Sequence, residues 1–261
     1  MNQKLTGKQY ALLASMLFGM FFGAGNLIFP IILGAKAVAS LVPALLGMLI
    51  TAVGMPLLGI VALGVSRSSG LMQMSGRVAK WYSYFFTCAL YLTIGPFFAI
   101  PRCAATSFTM GIAPLVSGSH TVPQAIFTTL FFAAVLFFSL RPNNIMNSIG
   151  KYLNPIFLVC LGILVVAALL DPIQSVRSVA ASGAYADNAF STGFLQGYDT
   201  LDALASLAFG IIVVNVIKEM GVEEPGAIAK NTIKSGVFSM VLMTVIYALI
   251  AIVGAQSYGL Y

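Results

Sequence analysis

Charge is what this chain has least of: 13 Lys and Arg and 7 Asp and Glu make up only 8% of its 261 residues. A soluble domain carries roughly 25% charged residues, so a water-soluble globular fold is excluded. Cysteine is also scarce. Cys88, Cys103 and Cys160 are dispersed, with no CxxC pair. That removes a disulfide framework or a zinc ribbon and leaves three small apolar fillers. Histidine occurs once, as His120, in a polar loop with Ser117, Ser119 and Thr121. A lone loop histidine reads as a solvated side chain. Short strands of alternating polarity are lacking, which argues against a β-barrel. The first apolar run has no small-x-small cleavage site, so no cleavable signal peptide is expected.

What is present is hydrocarbon. Residues of apolar type make up 59% of the sequence and fall in runs of about the 20 residues that a bilayer-crossing helix needs. Seven spans are predicted, at 10–33, 41–65, 81–101, 124–141, 149–170, 198–217 and 235–257. The net charge of +6 lies between these runs, scattered, and gives no sign of a nucleic-acid partner. With the N-terminus in the cytoplasm, 10 of the 13 basic residues fall inside: Lys4, Lys8, Arg67, Arg77, Lys80, Arg141, Lys151, Lys218, Lys230 and Lys234. Lys36, Arg102 and Arg177 fall outside, and this bias sets the orientation.

The first span carries Gly23-Ala24-Gly25-Asn26-Leu27-Ile28-Phe29-Pro30. Glycine and proline disfavour regular helix, and a break in hydrocarbon survives only where other groups take up the freed N–H and C=O. Gly19 and Gly23 also form a GxxxG pair, which close helix packing would explain. Packing does not require an asparagine and a proline beside it. Gly54-Met55-Pro56 predicts a kink in span 2, and Gly95-Pro96 a bend in span 3, with 104–115 a possible continuation of that helix. Arg141-Pro142-Asn143-Asn144 reads as a helix stop, and 171–196 as the longest outer link, with room for a short helix.

Span 6 has Asp199 and Asp202 three residues apart, then Ser206 and Gly210 near its middle. Ionisable residues at membrane depth tend to face a cavity or a partner. The plainer reading puts both aspartates at the outer interface, near a helix start. Spans 1 and 6 lie five spans apart, and both are interrupted. A repeat of five spans inverts its second copy, and interrupted helices in matching positions mark a transporter's central site. The division is then 1–171 for the first repeat and 172–261 for the start of the second.

Three stretches carry a resemblance: Phe22 to Pro30, Ile94-Gly95-Pro96-Phe97-Phe98-Ala99-Ile100-Pro101-Arg102, and Leu201-Asp202-Ala203-Leu204 through Val213. Together they resemble the branched-chain amino acid transport system II carriers, bacterial cation-coupled symporters for leucine, isoleucine and valine. That family is similar in turn to the amino acid–polyamine–cation superfamily. The resemblance implies an all-α integral membrane protein of LeuT-like inverted-repeat fold in the bacterial inner membrane, with helices 1 and 6 broken at mid-depth. It implies that backbone N–H groups at Gly23, Ala24 and Gly25 hold the substrate carboxylate, with Tyr91 a further candidate. Ser206 would sit by the ligands, in a Ser-Leu-Ala-Phe-Gly break, and Phe209 would wall the side-chain pocket. Sodium would bind the Asn26 side chain with the Phe21 carbonyl, and a second sodium the Gly19 and Phe22 carbonyls. No organic cofactor is implied.

The family has about twelve spans, so a chain of seven is expected to be a fragment or a truncated product with its second sodium site incomplete. Two other readings stay open. One is a channel or proton-coupled carrier with Asp202 as the proton site. The other is a membrane enzyme, against which stand the absence of HExxH and GxSxG and a lone Tyr198-Asp199 without the Gly-x-Gly-Asp of aspartyl intramembrane proteases.

Overall fold

The computed structural model describes residues 5–66, 68, 70–140, 154–171 and 180–258, and the regular structure among them is all helix, with no strand. The helices are α1 (Gly7–Phe21), α2 (Ala24–Ala37), α3 (Leu41–Leu49), α4 (Met55–Ser66), α5 (Leu71–Gly76) and α6 (Lys80–Leu92). They continue as α7 (Ala99–Gly111), α8 (Thr121–Ser139), α9 (Asn154–Leu170), α10 (Ala184–Tyr198), α11 (Asp202–Glu219) and α12 (Pro225–Gln256). Among the described residues, five helical stretches are long and apolar enough to cross a bilayer: Ala24–Ser66, Lys80–Leu115, Thr121–Ser139, Ala184–Glu219 and Pro225–Gln256. Asn154–Leu170 is a shorter apolar helix. Gly7–Phe21 lies ahead of the first of these stretches, separated from it by Phe22 and Gly23.

Local chemistry explains several boundaries. Thr6 and Gln9 form a reciprocal cap that starts α1: the Gln9 N–H donates to Thr6 Oγ1 (3.4 Å) and the Thr6 N–H to Gln9 Oε1 (2.7 Å). The expected kink at Gly54-Met55-Pro56 is a π turn over Ile50–Gly54 that joins α3 to α4. The bend at Gly95-Pro96 is a second π turn over Thr93–Phe97, where Gly95 leaves helical geometry (ψ −116°). The helix then resumes as α7, as the sequence suggested. Pro225 starts α12 in the first turn, where its missing N–H costs nothing, so this helix begins ten residues before the predicted span. The predicted stop at Arg141–Asn144, the first residues of span 5 and several basic loop residues lie outside the described residues.

The stretch 171–196, read as an outer link with room for a short helix, does hold a helix: α10 starts at Ala184 and runs on to Tyr198. Its Gly193 and Gly197 let it lie against α3 so closely that a Cβ on Gly193 would stand 1.9 Å from the Ala44 carbonyl oxygen, and one on Gly197 1.9 Å from Thr51 Oγ1. Thr51 Oγ1 also donates to the Phe194 carbonyl at 2.8 Å.

Glycines weld the other central pairs in the same way. A Cβ on Gly34 of α2 would meet the Ala251 carbonyl oxygen of α12 at 2.0 Å, and one on Gly254 would meet the Ile31 carbonyl oxygen at 2.3 Å. Gly59 of α4 accommodates Ser206 of α11, and Gly210 accommodates Leu63. Polar contacts extend the α1–α12 seam: the Ser239 hydroxyl donates to the Ala14 carbonyl (2.7 Å), and the Tyr10 hydroxyl to Asn231 Oδ1. The order of these contacts shows direction. Residues 10, 14, 26, 31 meet 231, 239, 247, 254 in rising order, so α1–α2 runs parallel to α12. Likewise α3–α4 runs parallel to α10–α11, while Gly236 of α12 meets Leu57 and Ile60 and Gly64 meets Thr232, an antiparallel contact.

The core lies among these helices, around Leu13, Leu17, Phe18, Leu33, Met48, Val213, Met243 and Tyr247. By contrast, α8 buries none of its residues, and the apolar side chains of α8 and α9 are largely exposed. In water that would be an aggregating surface; hydrocarbon or further helices suit it.

Candidate functional site

The first interruption falls at Phe22-Gly23. Phe22 is extended (φ −75°, ψ 100°), as is Gly23 (φ −118°, ψ −169°), and helix resumes at Ala24. The Phe22 N–H still donates to the Phe18 carbonyl (2.7 Å), so α1 closes normally before the chain turns. The first turn of α2 has N–H groups with no intrahelical acceptor. One is met locally: the Gly23 N–H donates to Asn26 Oδ1 at 3.0 Å. Gly23 is exposed, Ala24 half-buried and Gly25 buried. Pro30 does not end α2; it sits inside, and leaves the Asn26 carbonyl without its i+4 N–H donor.

The second interruption is at Asp199-Thr200-Leu201, not at Ser206–Gly210. Leu201 takes a left-handed conformation (φ 66°, ψ 9°), which a branched side chain adopts at a cost. Thr200 braces the turn: its hydroxyl donates to the Gly197 carbonyl (2.9 Å) and accepts from the Asp202 N–H (3.4 Å). Ser206 to Gly210 run as unbroken helix. The glycine there is occupied by packing, since a Cβ on Gly210 would stand 2.6 Å from Leu63 Cδ1.

The two interruptions meet. Asn26, in the first turn of α2, donates from Nδ2 to Asp202 Oδ2 at 2.5 Å, and Asp202 is the first residue of α11. The Tyr247 hydroxyl of α12 accepts from the same amide and donates to Asp202 Oδ2 at 3.0 Å. All three are buried, Asn26 and Asp202 at 2% exposure. Asp202 is thus buried against partners, as expected of an ionisable residue at membrane depth, and it also stands at a helix start, as the plainer reading had it. Its carboxyl lies at a helix start, where the positive end of the helix dipole favours it. The Phe22 ring packs beside the cluster, 6.2 Å from Tyr247, 5.4 Å from Phe157 and 4.8 Å from Phe18.

The remaining candidates divide. Gly23, Ala24, Gly25 and Asn26 stand together at the first break, with Phe21 buried as the last residue of α1. Gly19 lies against Asn154 of α9, whose amide a Cβ would strike at 2.0 Å and which donates to the Ser15 carbonyl. Ser206 is fully buried, donates to the Ala203 carbonyl (2.7 Å) and faces Gly59. Phe209 packs half-buried at the edge of the core. Tyr91 is 47% exposed on α6 and joins none of the break residues by a described hydrogen bond. Tyr247 was not singled out from sequence; the available signal was a lone hydroxyl-bearing aromatic in the middle of an apolar run.

The ligating atoms the junction offers are oxygens: the Asp202 carboxyl, Asn26 Oδ1 and the Tyr247 hydroxyl. Hard oxygen donors suit an alkali or alkaline-earth cation rather than a soft metal. No group of three or more His, Cys, Asp or Glu that could hold a metal ion occurs among the described residues.

A family model described as branched-chain amino acid transport protein matches residues 6–261. The chain is 53% identical over 259 residues to the branched-chain amino acid permease BrnQ of Lactobacillus delbrueckii subsp. lactis, covering 98% of this chain and 58% of that protein. It is 42% identical over 258 residues to the permease of that name from Bacillus subtilis, covering 98% and 58%, and 37% identical over 260 residues to that of Escherichia coli K12, covering 100% and 58%. The chain thus spans somewhat over half the length of these relatives. No solved structure gives a significant match. With the family model matched over nearly the whole sequence, this chain belongs to the branched-chain amino acid transport protein family.

Proposed function

We propose that this chain forms part of a secondary active transporter that imports leucine, isoleucine and valine across the bacterial cell membrane by cation symport, with sodium as the coupling ion. The observation that carries the reading is the Asn26–Asp202 bond, which joins two helix interruptions distant in sequence at one buried point. Open N–H groups at Ala24 and Gly25, beside the Gly23 N–H that Asn26 Oδ1 already takes up, suit an amino acid carboxylate, and oxygens beside them suit a cation. Asn26 Oδ1 and the Asp202 carboxyl would hold that cation, with the Phe21 carbonyl next to them. An apolar pocket discriminates by only about 1–3 kcal/mol per methylene, so one site serves three aliphatic substrates.

The packing supports an inverted repeat with a LeuT-like plan. Exchange of the first span with the sixth, and of the second with the seventh, turns the α2–α12 contact into a contact of the kind made by α3–α4 with α10–α11. Both seams are parallel and both are closed by glycines.

The test is labelled leucine uptake into proteoliposomes containing the full-length protein, driven by a sodium gradient or by a pH gradient alone. Sodium-driven uptake is expected to exceed sodium-free uptake. Asn26→Ala is expected to raise the sodium half-saturation about tenfold, the loss of one charge-assisted ligand. Equal uptake without sodium overturns the choice of ion. The buried Asp202 carboxyl would then favour the second reading, a proton-coupled carrier.

A further inference from the structure

Arg102 lies in the first turn of α7, in a part of the chain that the glycine seams do not join to α2 or α10. Its guanidinium nevertheless reaches the second interruption. Nη1 donates to the Asp199 carbonyl at 2.5 Å and Nη2 to the Thr200 carbonyl at 3.4 Å. Those carbonyls lie at the end of α10, where broken helix leaves acceptors free and the dipole is negative. The same group lies 5.5 Å from the ring centre of Phe29 on α2 and 5.7 Å from that of Phe98. Its Nη2 would stand 3.3 Å from a Cβ on Gly25. Arg102 also lies within electrostatic reach of the Asp202 carboxyl. One side chain of α7 thus spans both interruptions at once.

We propose that Arg102 is a latch that closes the approach to the two interruptions on the side toward which α2 and α10 lead, and that it must release for substrate to pass. The proposal rests on the transport reading for its consequence. Helices welded by backbone-to-glycine contact cannot part without losing a whole seam. A forked hydrogen bond and a ring contact can let go as a unit, because water can take over each donor and acceptor. Arginine suits this role because its planar fork engages two successive carbonyls, whereas lysine offers a point charge. The fork also supplies a positive charge to the α10 end while no substrate or ion is there. Opening would uncover Gly25 and Thr200, the buried members of the two interruptions, together.

The experiment uses the full-length protein in liposomes with every cysteine, including Cys88, Cys103 and Cys160, replaced by alanine. Leucine uptake by this parent tests the transport reading separately. A reporter, Ala24→Cys, is then labelled with a membrane-impermeant maleimide from each side, with no substrate present. Arg102→Gln is expected to raise the labelling rate from one side by about tenfold, the population shift from losing one charge-assisted hydrogen bond. Arg102→Lys is expected to raise it by about threefold, since it keeps the charge and loses the fork. Rates within twofold of the parent for the glutamine variant, from both sides, overturn the latch. Should that variant fail to fold, the lysine variant decides, and an unchanged rate overturns the proposal. A parent that takes up no leucine defeats the transport reading and leaves the labelling result to judge the latch.

Discussion

Asp202→Ala is expected to abolish leucine uptake and to destabilise the protein by about 2–6 kcal/mol, the cost of leaving two buried donors unsatisfied at about 1–3 kcal/mol each. The two donors are the Asn26 amide and the Tyr247 hydroxyl, both of which aim at Asp202 Oδ2. All three residues are buried, so bulk solvent does not stand in for the missing acceptor. Three helices, α2, α11 and α12, lose their shared polar point in one substitution. The variant is read by initial uptake rate in proteoliposomes and by thermal unfolding in detergent. Asp202→Asn separates structure from charge: its amide oxygen can still accept from Asn26, so stability is expected to fall by less than half as much. Its uptake is expected to lose dependence on the cation gradient. Uptake by Asp202→Ala at the parent rate, with normal expression, would remove Asp202 from the site.

Much of this site could be read from the sequence, and its failures have physical causes. The first break is legible because Gly23, Gly25, Asn26 and Pro30 all disfavour helix within eight residues, and the helix does stop at Phe22-Gly23. Pro30 itself misleads: it is tolerated inside α2. The second break was misplaced because Gly210 resembles a helix breaker while its missing side chain is used for contact with Leu63. The true break centres on Leu201, whose left-handed backbone carries no residue-type signal, since leucine ordinarily avoids it. The polar composition of 171–196 left room only for a short helix there, whereas Gly193 and Gly197, at i and i+4, mark α10 as a closely packed one. Tyr247 and Arg102 were legible only as residues, because what matters is which break each one faces.

The glycine seams give the second large effect. Gly34→Ala and Gly193→Ala are each expected to destabilise the protein by about 1–3 kcal/mol, the usual cost of overpacking, and to cut uptake strongly. The reason is the identity of the obstructing atoms. A methyl on Gly34 meets the Ala251 carbonyl oxygen at 2.0 Å and the Ala255 nitrogen at 2.8 Å; one on Gly193 meets the Ala44 carbonyl oxygen at 1.9 Å and its carbonyl carbon at 2.7 Å. Backbone cannot rotate away as a side chain can, so whole helices must separate. Separation of α2 from α12 moves Asn26 away from Tyr247, and separation of α10 from α3 moves the turn that carries Asp202. Gly162→Ala on α9 is the control, because a Cβ there meets nothing within 4 Å, and it is expected to be neutral or slightly stabilising through helix propensity. Thermal unfolding of the three variants side by side checks the ordering. Equal stabilities would mean that the central helices are not held at the separations described, and the Asn26–Asp202 junction would lose its support with them.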